Sequence, residues 1–566
     1  MTGTQFRVLY REFLFRMVDL ELLSARGDIN KLLGQVGALL AALSLLSSLG
    51  GLRYANSRMP SGMILLSSWT DLHFLIANTM VVVGLFTVLC WDSTFPDQRD
   101  VLVLAPLPVR ARTLFLAKVA ALITALGVTV LAVNIFTGLT YPLALGLATS
   151  GPLGIVRSFF AYWITMLAAG AFLLCSVLAV QGVAAQLLSR RRFLRLSAFL
   201  QLAAFCLILS VYFLEPTSLA RPKALIAPEN QRALAWLPTY WFLGLFHRLN
   251  GSMHPALGPL ERRALIGLAV VVFGAVAGFV LSYFRTLRKT VEEPDIAPGA
   301  RARGWSWRFG DSLQTAVALF SVRSLLRSRQ HRVILAGYLG IGFAISLAYL
   351  KGLLYGDVGR VWYRVNQPLL VSSVVMLCFA VVGMRAVFSL PLALRANWIF
   401  RITAVRDAPE YLAAIRRSFL LLTAAPVCAV FGAVFLSIWP PWQALGHLLI
   451  LGAMGMILAD LRLHGFQKIP FTCSYLPGKG NVHVTSGAYI IVLTALTDEG
   501  MRIELRALRG VGSFMAMLTV LGAVAFWARW RTANRVKSPE VALQFEDAPP
   551  ADIHALDLHR DGVLRV

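Results

Sequence analysis

Three carboxylates, Asp92, Asp97 and Asp100, sit within nine residues of one another. Acids so close together can share a divalent cation and hold a diphosphate at a membrane face, the chemistry of a transferase acting on a lipid-linked substrate. Arg99 lies among them and Arg110 follows, so the same stretch equally fits a loop that makes salt bridges to another protein. A second candidate is Gly478-Lys479-Gly480. A P-loop needs Gly-x4-Gly-Lys-Ser/Thr so that backbone amides cradle the phosphates. Here Cys473 stands where the first glycine belongs and Gly480 replaces the hydroxyl residue, so ATP hydrolysis is not expected from this chain. A third is His447, about a turn and a half inside an apolar run, which reads as a hydrogen-bonded structural histidine in preference to a proton carrier. Asp498, Glu499 and Glu504 are balanced by Arg502, Arg506 and Arg509 and read as a solvated face.

The elements that must position these groups are membrane helices. The chain is 57% apolar and 14% charged over 566 residues, against about 45–50% and 25% in ordinary globular domains. Runs such as Leu32 to Leu52 and Ser418 to Ile438 carry no charged residue and are long enough to cross a hydrocarbon core. Spans are expected near 32–52, 72–91, 114–137, 158–188, 196–214 and 264–284, then near 333–350, 368–389, 418–438, 442–460, 484–497 and 510–530. The fold class is therefore an all-α polytopic integral membrane protein with about twelve transmembrane helices in two six-helix halves. The spans hold almost no buried acid or base, which argues against ion-coupled transport. Cys90, Cys175, Cys206, Cys378, Cys428 and Cys473 fall mostly in apolar runs without a metal-binding spacing, and neither a metal nor a cofactor is expected.

The net charge of +25 is better explained by loops facing the cytoplasm and anionic lipid than by nucleic acid. Basic clusters occur at Arg190–Arg195, in 285–332, from Arg395 to Arg417 and from Arg529 to Lys537. With a cytoplasmic N-terminus all of them fall on one side, which places a multi-pass chain in the cell (inner) membrane with both termini cytoplasmic. The first thirty residues are charged and amphipathic, so no cleavable signal is expected. The reading divides the chain into an N-terminal amphipathic interfacial helix (1–31), a first six-span half (32–284) and a basic cytoplasmic linker with a second interfacial helix (285–332). A second six-span half (333–530) and a disordered cytoplasmic tail (531–566) follow. Loops 138–157 and 215–262 are expected outside, the latter with its aromatic stretch Trp236–Phe242 on the outer surface or dipping into it.

Each half opens with a basic amphipathic segment: Phe6, Leu9, Tyr10, Phe13, Met17 and Leu20 in the first, Leu313, Ala316, Val317 and Phe320 in the second. In each, the second span is followed by a loop of similar grammar. The first runs from Pro96 through Asp97, Arg99 and Asp100 to Val109-Arg110; the second runs from Pro391 through Arg395 to Val405-Arg406-Asp407. This layout is what an internal duplication predicts.

On these features, and above all on residues 97–110, the chain resembles the membrane subunit of ABC-2 type transporters. The resemblance implies that the loop between spans two and three is a coupling helix docked on a separate ATPase, carried here by Pro96, Asp97, Arg99, Asp100, Arg110, Pro391, Arg395, Arg406 and Asp407. It also implies an amphipathic segment outside between spans five and six, matched in position by Trp236–Phe242. The chain departs from the family in holding two halves at once, and its second half lacks the long loop between the last two spans. The function implied is a permease, not itself an enzyme, that forms the translocation path for an amphipathic or lipid-like cargo and is driven by a cytoplasmic ATP-binding subunit. The alternatives are the lipid-linked transferase, with Asp92, Asp97 and Asp100 on metal, and a non-transporting membrane scaffold.

Overall fold

A computed structural model of the chain describes residues 2–18, 29–55, 61–94, 109–149, 151–292, 310–354, 364–392, 406–472 and 499–536, with a few isolated positions between them. Among the described residues the regular elements are all helical, as lipid demands of backbone groups that find no water to bond. The chain forms two compact units, Met1–Arg303 and Gly304–Val566. Their boundary falls inside the expected linker.

The principal helices of the first unit are α1 (Thr2–Val18), α2 (Ile29–Ala55), α3 (Ser61–Leu89), α4 (Ala111–Asn134) and α5 (Thr137–Thr149). They are followed by α6 (Gly151–Leu187), α7 (Arg190–Leu214), α8 (Pro238–Leu249) and α9 (Leu257–Glu292). In the second unit they are α10 (Ser312–Arg327), α11 (Arg329–Leu354), α12 (Gln367–Phe388), α13 (Ala408–Leu422), α14 (Ala424–Ile438), α15 (Pro441–Leu463) and α16 (Val511–Val536), with a short helix over 499–507. Nine described helices are long and apolar enough to cross a membrane, with α13 and α14 counted as one. Two shorter apolar helices, Gly37–Gly50 and Phe199–Leu214, occupy the expected first and fifth positions. The expected span at 484–497 and the tail beyond Val536 lie outside the described residues.

Both amphipathic segments are helices. In α1 the buried residues Leu9 and Phe13 recur one turn apart and pack on Leu114, Ala117 and Ala121 of α4. The Tyr10 hydroxyl donates to Thr124 Oγ1 at 3.1 Å. The buried Lys118 places its ammonium 5.2 Å from the Phe13 ring centroid, a cation–π contact that brings the charge onto the apolar face of α1. In α10, Val317, Ala318, Ser321 and Ser324 are buried while Arg323 and Arg327 are exposed. That helix lies against α13.

Two expectations for the loops are corrected. Residues 138–157 are not an open loop: α5 fills most of them and α6 begins at Gly151. Thirteen residues are too short to cross, but α5 runs back along α6 so closely that a methyl on Gly146 would meet the backbone of Ile155. The turn between α4 and α5 is held by side chains. Ser44 Oγ accepts the Phe136 and Thr137 amides at 3.1 and 3.3 Å. Asn134 Nδ2 donates to Thr79 Oγ1 at 3.0 Å, and Tyr162 Oη lies 2.8 Å from Asn134 Oδ1 and 2.9 Å from Thr137 Oγ1. Side chains thus satisfy amides that the break between the two helices frees.

The second correction concerns Trp236–Phe242. Tyr240 and Phe242 are fully buried among α3, α6 and α9, whereas Trp236 is 85% exposed. Tyr240 and Phe242 thus belong to the unit's core, while Trp236 stands on its surface. Elsewhere in this unit α6 and α9 cross through small residues: a methyl on Gly182 would fall on the Gly278 backbone, and Ser282 Oγ donates to Gly182 O at 2.7 Å.

Candidate functional site

The loops singled out by sequence are described only in part. Pro96, Asp97, Arg99, Asp100 and Arg395 lie outside the described residues, as does the side chain of Asp92. Arg110 is exposed at the N-cap of α4, where its carbonyl accepts the Thr113 amide at 2.8 Å. Pro391 follows α12. Next to it the Leu392 amide donates to Phe471 O at 3.0 Å, and the Phe471 amide donates to Phe388 O at 3.1 Å. Phe471 adopts φ 66°, a left-handed conformation that costs a bulky residue energy. Its ring packs edge-on against Phe388, Phe320 and His331, which offsets that cost. The irregular stretch around residues 468–472 thus clasps the chain just past α12.

Arg406 and Asp407 are both exposed at the start of α13. Arg406 Nη1 lies 2.7 Å from Asp311 Oδ2 and 3.1 Å from Glu410 Oε2, and Nη2 donates to Ser312 Oγ at 3.3 Å. Asp311 caps α10 by accepting the Ser312 amide at 2.6 Å. One guanidinium therefore ties the amphipathic helix α10 to the start of α13.

The hydrogen bond from Arg406, followed by that from the Ser312 amide, holds the Asp311 carboxyl below its ordinary value. A lowered folded value means that the contact stabilises at neutral pH and is lost as pH falls through it. Amide protection in the first turn of α10 should decline on acidification below about pH 4. Asp311→Asn should show the reduced protection already at neutral pH. Hydrogen exchange indifferent to both changes would contradict the tether.

The second set of polar groups lies within the helices. His447 on α15 is fully buried, with Nε2 2.8 Å from Ser373 Oγ on α12 and Nδ1 2.6 Å from Glu504 Oε1 on the short helix 499–507. The order serine, histidine, carboxylate is that of a nucleophilic triad. All three side chains are closed off from solvent, however, and Ser373 Oγ already donates to Leu370 O at 2.7 Å. The arrangement joins α12, α15 and the short helix 499–507 through side-chain hydrogen bonds. His447 is thus the hydrogen-bonded histidine expected, but Glu504 is not on a solvated face. Only its neighbours are: Glu499 and Arg502 pair in the open at 3.3 Å.

The first unit holds a comparable knot. His73 on α3 lies 3.2 Å from Glu215 just past α7, stacks on Tyr240 of α8 at 4.3 Å, and shares Glu215 Oε1 with the Thr239 hydroxyl. Below it, His247 packs 4.5 Å from Trp69. Burial, with His254 nearby, pushes the His247 pKa down to about 3, so this ring is neutral at physiological pH. Among the described residues no three His, Cys, Asp or Glu side chains converge as metal ligands.

Glu504, expected on a solvated face, is buried, as is Glu215 at the start of the loop expected outside. A signal for Glu504 exists: Met501, Glu504, Leu505 and Leu508 recur at i, i+3, i+4 and i+7, so the acid falls on the apolar face of its own helix. Glu215 ends an apolar run immediately before Pro216, and nothing local marks it as buried. No family model, curated protein or solved structure matches the chain.

Proposed function

We propose that this chain is the membrane permease of an ATP-driven transporter of ABC-2 type, with the ATPase on a separate cytoplasmic subunit and both chain termini on that side. The supporting observation is a packing that recurs in the two units. In each, an amphipathic helix lies against the helix that follows the second-span loop, α1 against α4 and α10 against α13. The order of the remaining helices also runs in parallel. A broken pair (α4–α5, α13–α14) precedes a long helix (α6, α15), and a short helix precedes the last span (α8 before α9, 499–507 before α16). Such a repeat is the layout of a duplicated six-span permease. A displacement of the loop by a partner reaches the interfacial helix and the third span together, because Arg406 bonds to both sides.

The test is purification of the tagged full chain from its native membrane. A P-loop ATPase subunit should accompany it in stoichiometric amount, and the triple variant R99Q/D100N/R110Q should lower its recovery severalfold while leaving the chain's own yield unchanged. Recovery of the chain alone, with the variant behaving like the wild type, would sink the coupling role of these residues.

A further inference from the structure

A cavity at the Arg-rich end of the second unit carries chemistry that the permease reading does not use. Its volume is about 210 Å3, and it lies among the first turns of α13, the last turns of α15 and the last turns of α16. Its ionisable lining is Arg416, Asp460, His464, Arg529 and Arg535, with Gln467 and Thr532 as neutral polar neighbours. Arg416 holds Asp460 with two bonds, Nε to Oδ1 at 2.5 Å and Nη2 to Oδ2 at 2.8 Å, and Asp460 is only 1% exposed. Arg535 Nη1 lies 2.9 Å from His464 Nε2. Burial, with Arg535 and Arg531 nearby, holds His464 below its ordinary value, so it accepts from Arg535 at neutral pH and adds no further charge. Arg529 has Arg416, Arg417 and Asp460 as its charged neighbours. Among the described residues lining the cavity, three guanidinium groups thus stand with one carboxylate, and Arg416 bonds to both oxygens of that carboxylate.

A cavity with this excess of cations selects an anion, and planar guanidinium groups fit phosphate oxygens in pairs. The volume decides what size of anion. It falls short of the roughly 300 Å3 at which pockets for whole drug-sized ligands begin, but it accommodates a phosphate and its immediate substituent. The surroundings decide the source. On α16, Phe526, Trp527 and Trp530 are exposed in the same closing turns that carry Arg529, and the Arg531 guanidinium lies 5.4 Å from the Trp527 ring centroid. Tryptophans at the end of an apolar helix mark the headgroup level of a bilayer, and basic pockets between helices at that level take anionic headgroups.

We propose that this cavity binds the phosphate of an anionic lipid of the leaflet that the Arg-rich helix ends face, with Arg529 and Arg535 on the phosphate oxygens and the acyl chains along the exposed face of α16. Arg416 serves to hold Asp460 out of the way, a positioning role. The proposal stands whether or not the chain is a permease.

The experiment uses the full chain in nanodiscs of phosphatidylcholine doped with phosphatidylglycerol, with retained lipid counted by native mass spectrometry after release. A second arm titrates inorganic phosphate into phosphatidylcholine-only discs. R529Q/R535Q should reduce phosphatidylglycerol retention roughly tenfold to thirtyfold, R529K/R535K should recover most of it, and R502Q, on the solvent side of helix 499–507, should change nothing. Retention of phosphatidylglycerol with no binding of free phosphate supports the lipid source. Phosphate binding in neutral discs that R529Q/R535Q abolishes keeps the anion site and assigns it a soluble occupant instead. Binding in both arms that is unchanged by R529Q/R535Q, in protein whose helical circular dichroism matches the wild type, overturns the proposal.

Discussion

Replacing Glu504 with leucine is expected to destabilise the protein by about 3 kcal/mol, although the residue belongs to a stretch with as many charges as a surface helix. The effect follows from what the carboxylate leaves behind. His447 Nδ1 is fully buried and bonds only to Glu504 among the described contacts, at 2.6 Å, while Nε2 is held by Ser373 at 2.8 Å. Taking away the acid strands one ring nitrogen in a buried site, next to the Phe435 ring 5.2 Å away. The double variant H447L/E504L should recover most of the loss, because removing both partners of a buried pair leaves no unsatisfied group. Glu499→Leu, on the exposed side of the same helix, should stay within about 0.5 kcal/mol of the wild type. Unfolding in mixed micelles measures all three. An E504L variant no less stable than E499L would show that the pair carries no weight.

The same residue shows how far the sequence could be read. Apolar runs such as those that became α4, α6, α12 and α15 are legible because the bilayer imposes one length and one backbone geometry on whatever crosses it. Glu504 is harder, since a length-and-charge reading counts its neighbours Arg502 and Arg506 and misses the one-face recurrence of Met501, Leu505 and Leu508. Helix α5 fails for a different reason. Its thirteen residues are too short to cross and contain Pro142, so a rule based on spanning length assigns them to a loop. What makes them helical is the neighbouring α6, packed on Gly146, together with the Ser44, Asn134 and Tyr162 network at the turn. Arg406 was legible as a basic residue of the second loop. That it would bond to Asp311 was not, because the two are 95 positions apart and only the packing of α10 on α13 brings them together. Contacts between helices are the part of a membrane protein that hydropathy does not encode.

Arg416 and Asp460 provide the second large effect, and one that separates stability from mechanical coupling. Arg416→Met leaves Asp460, which is 1% exposed, without its two-bond partner between α13 and α15, a loss of about 3 kcal/mol, at the low end for a broken buried pair because Arg529 stays nearby. Asp460→Leu strands the guanidinium less severely, since Arg416 is 18% exposed and can turn towards the headgroups. R416M/D460L should restore most of the stability, while Arg417→Met, whose side chain is exposed one position along, should have little effect. The stable double variant is the informative one. Helix α13 starts at the loop held by Arg406, and the Arg416–Asp460 pair is a rigid two-bond tie between that helix and α15. Under the permease reading, a push on the loop moves α15 through this tie. The double variant should therefore keep its fold and its ATPase partner yet lose the partner's response to the membrane subunit, read as ATPase activity that no longer differs between the complex and the free subunit. A double variant that responds like the wild type would confine the pair to holding the helices together, and the push would have to travel through the apolar contacts between α13 and α15 instead.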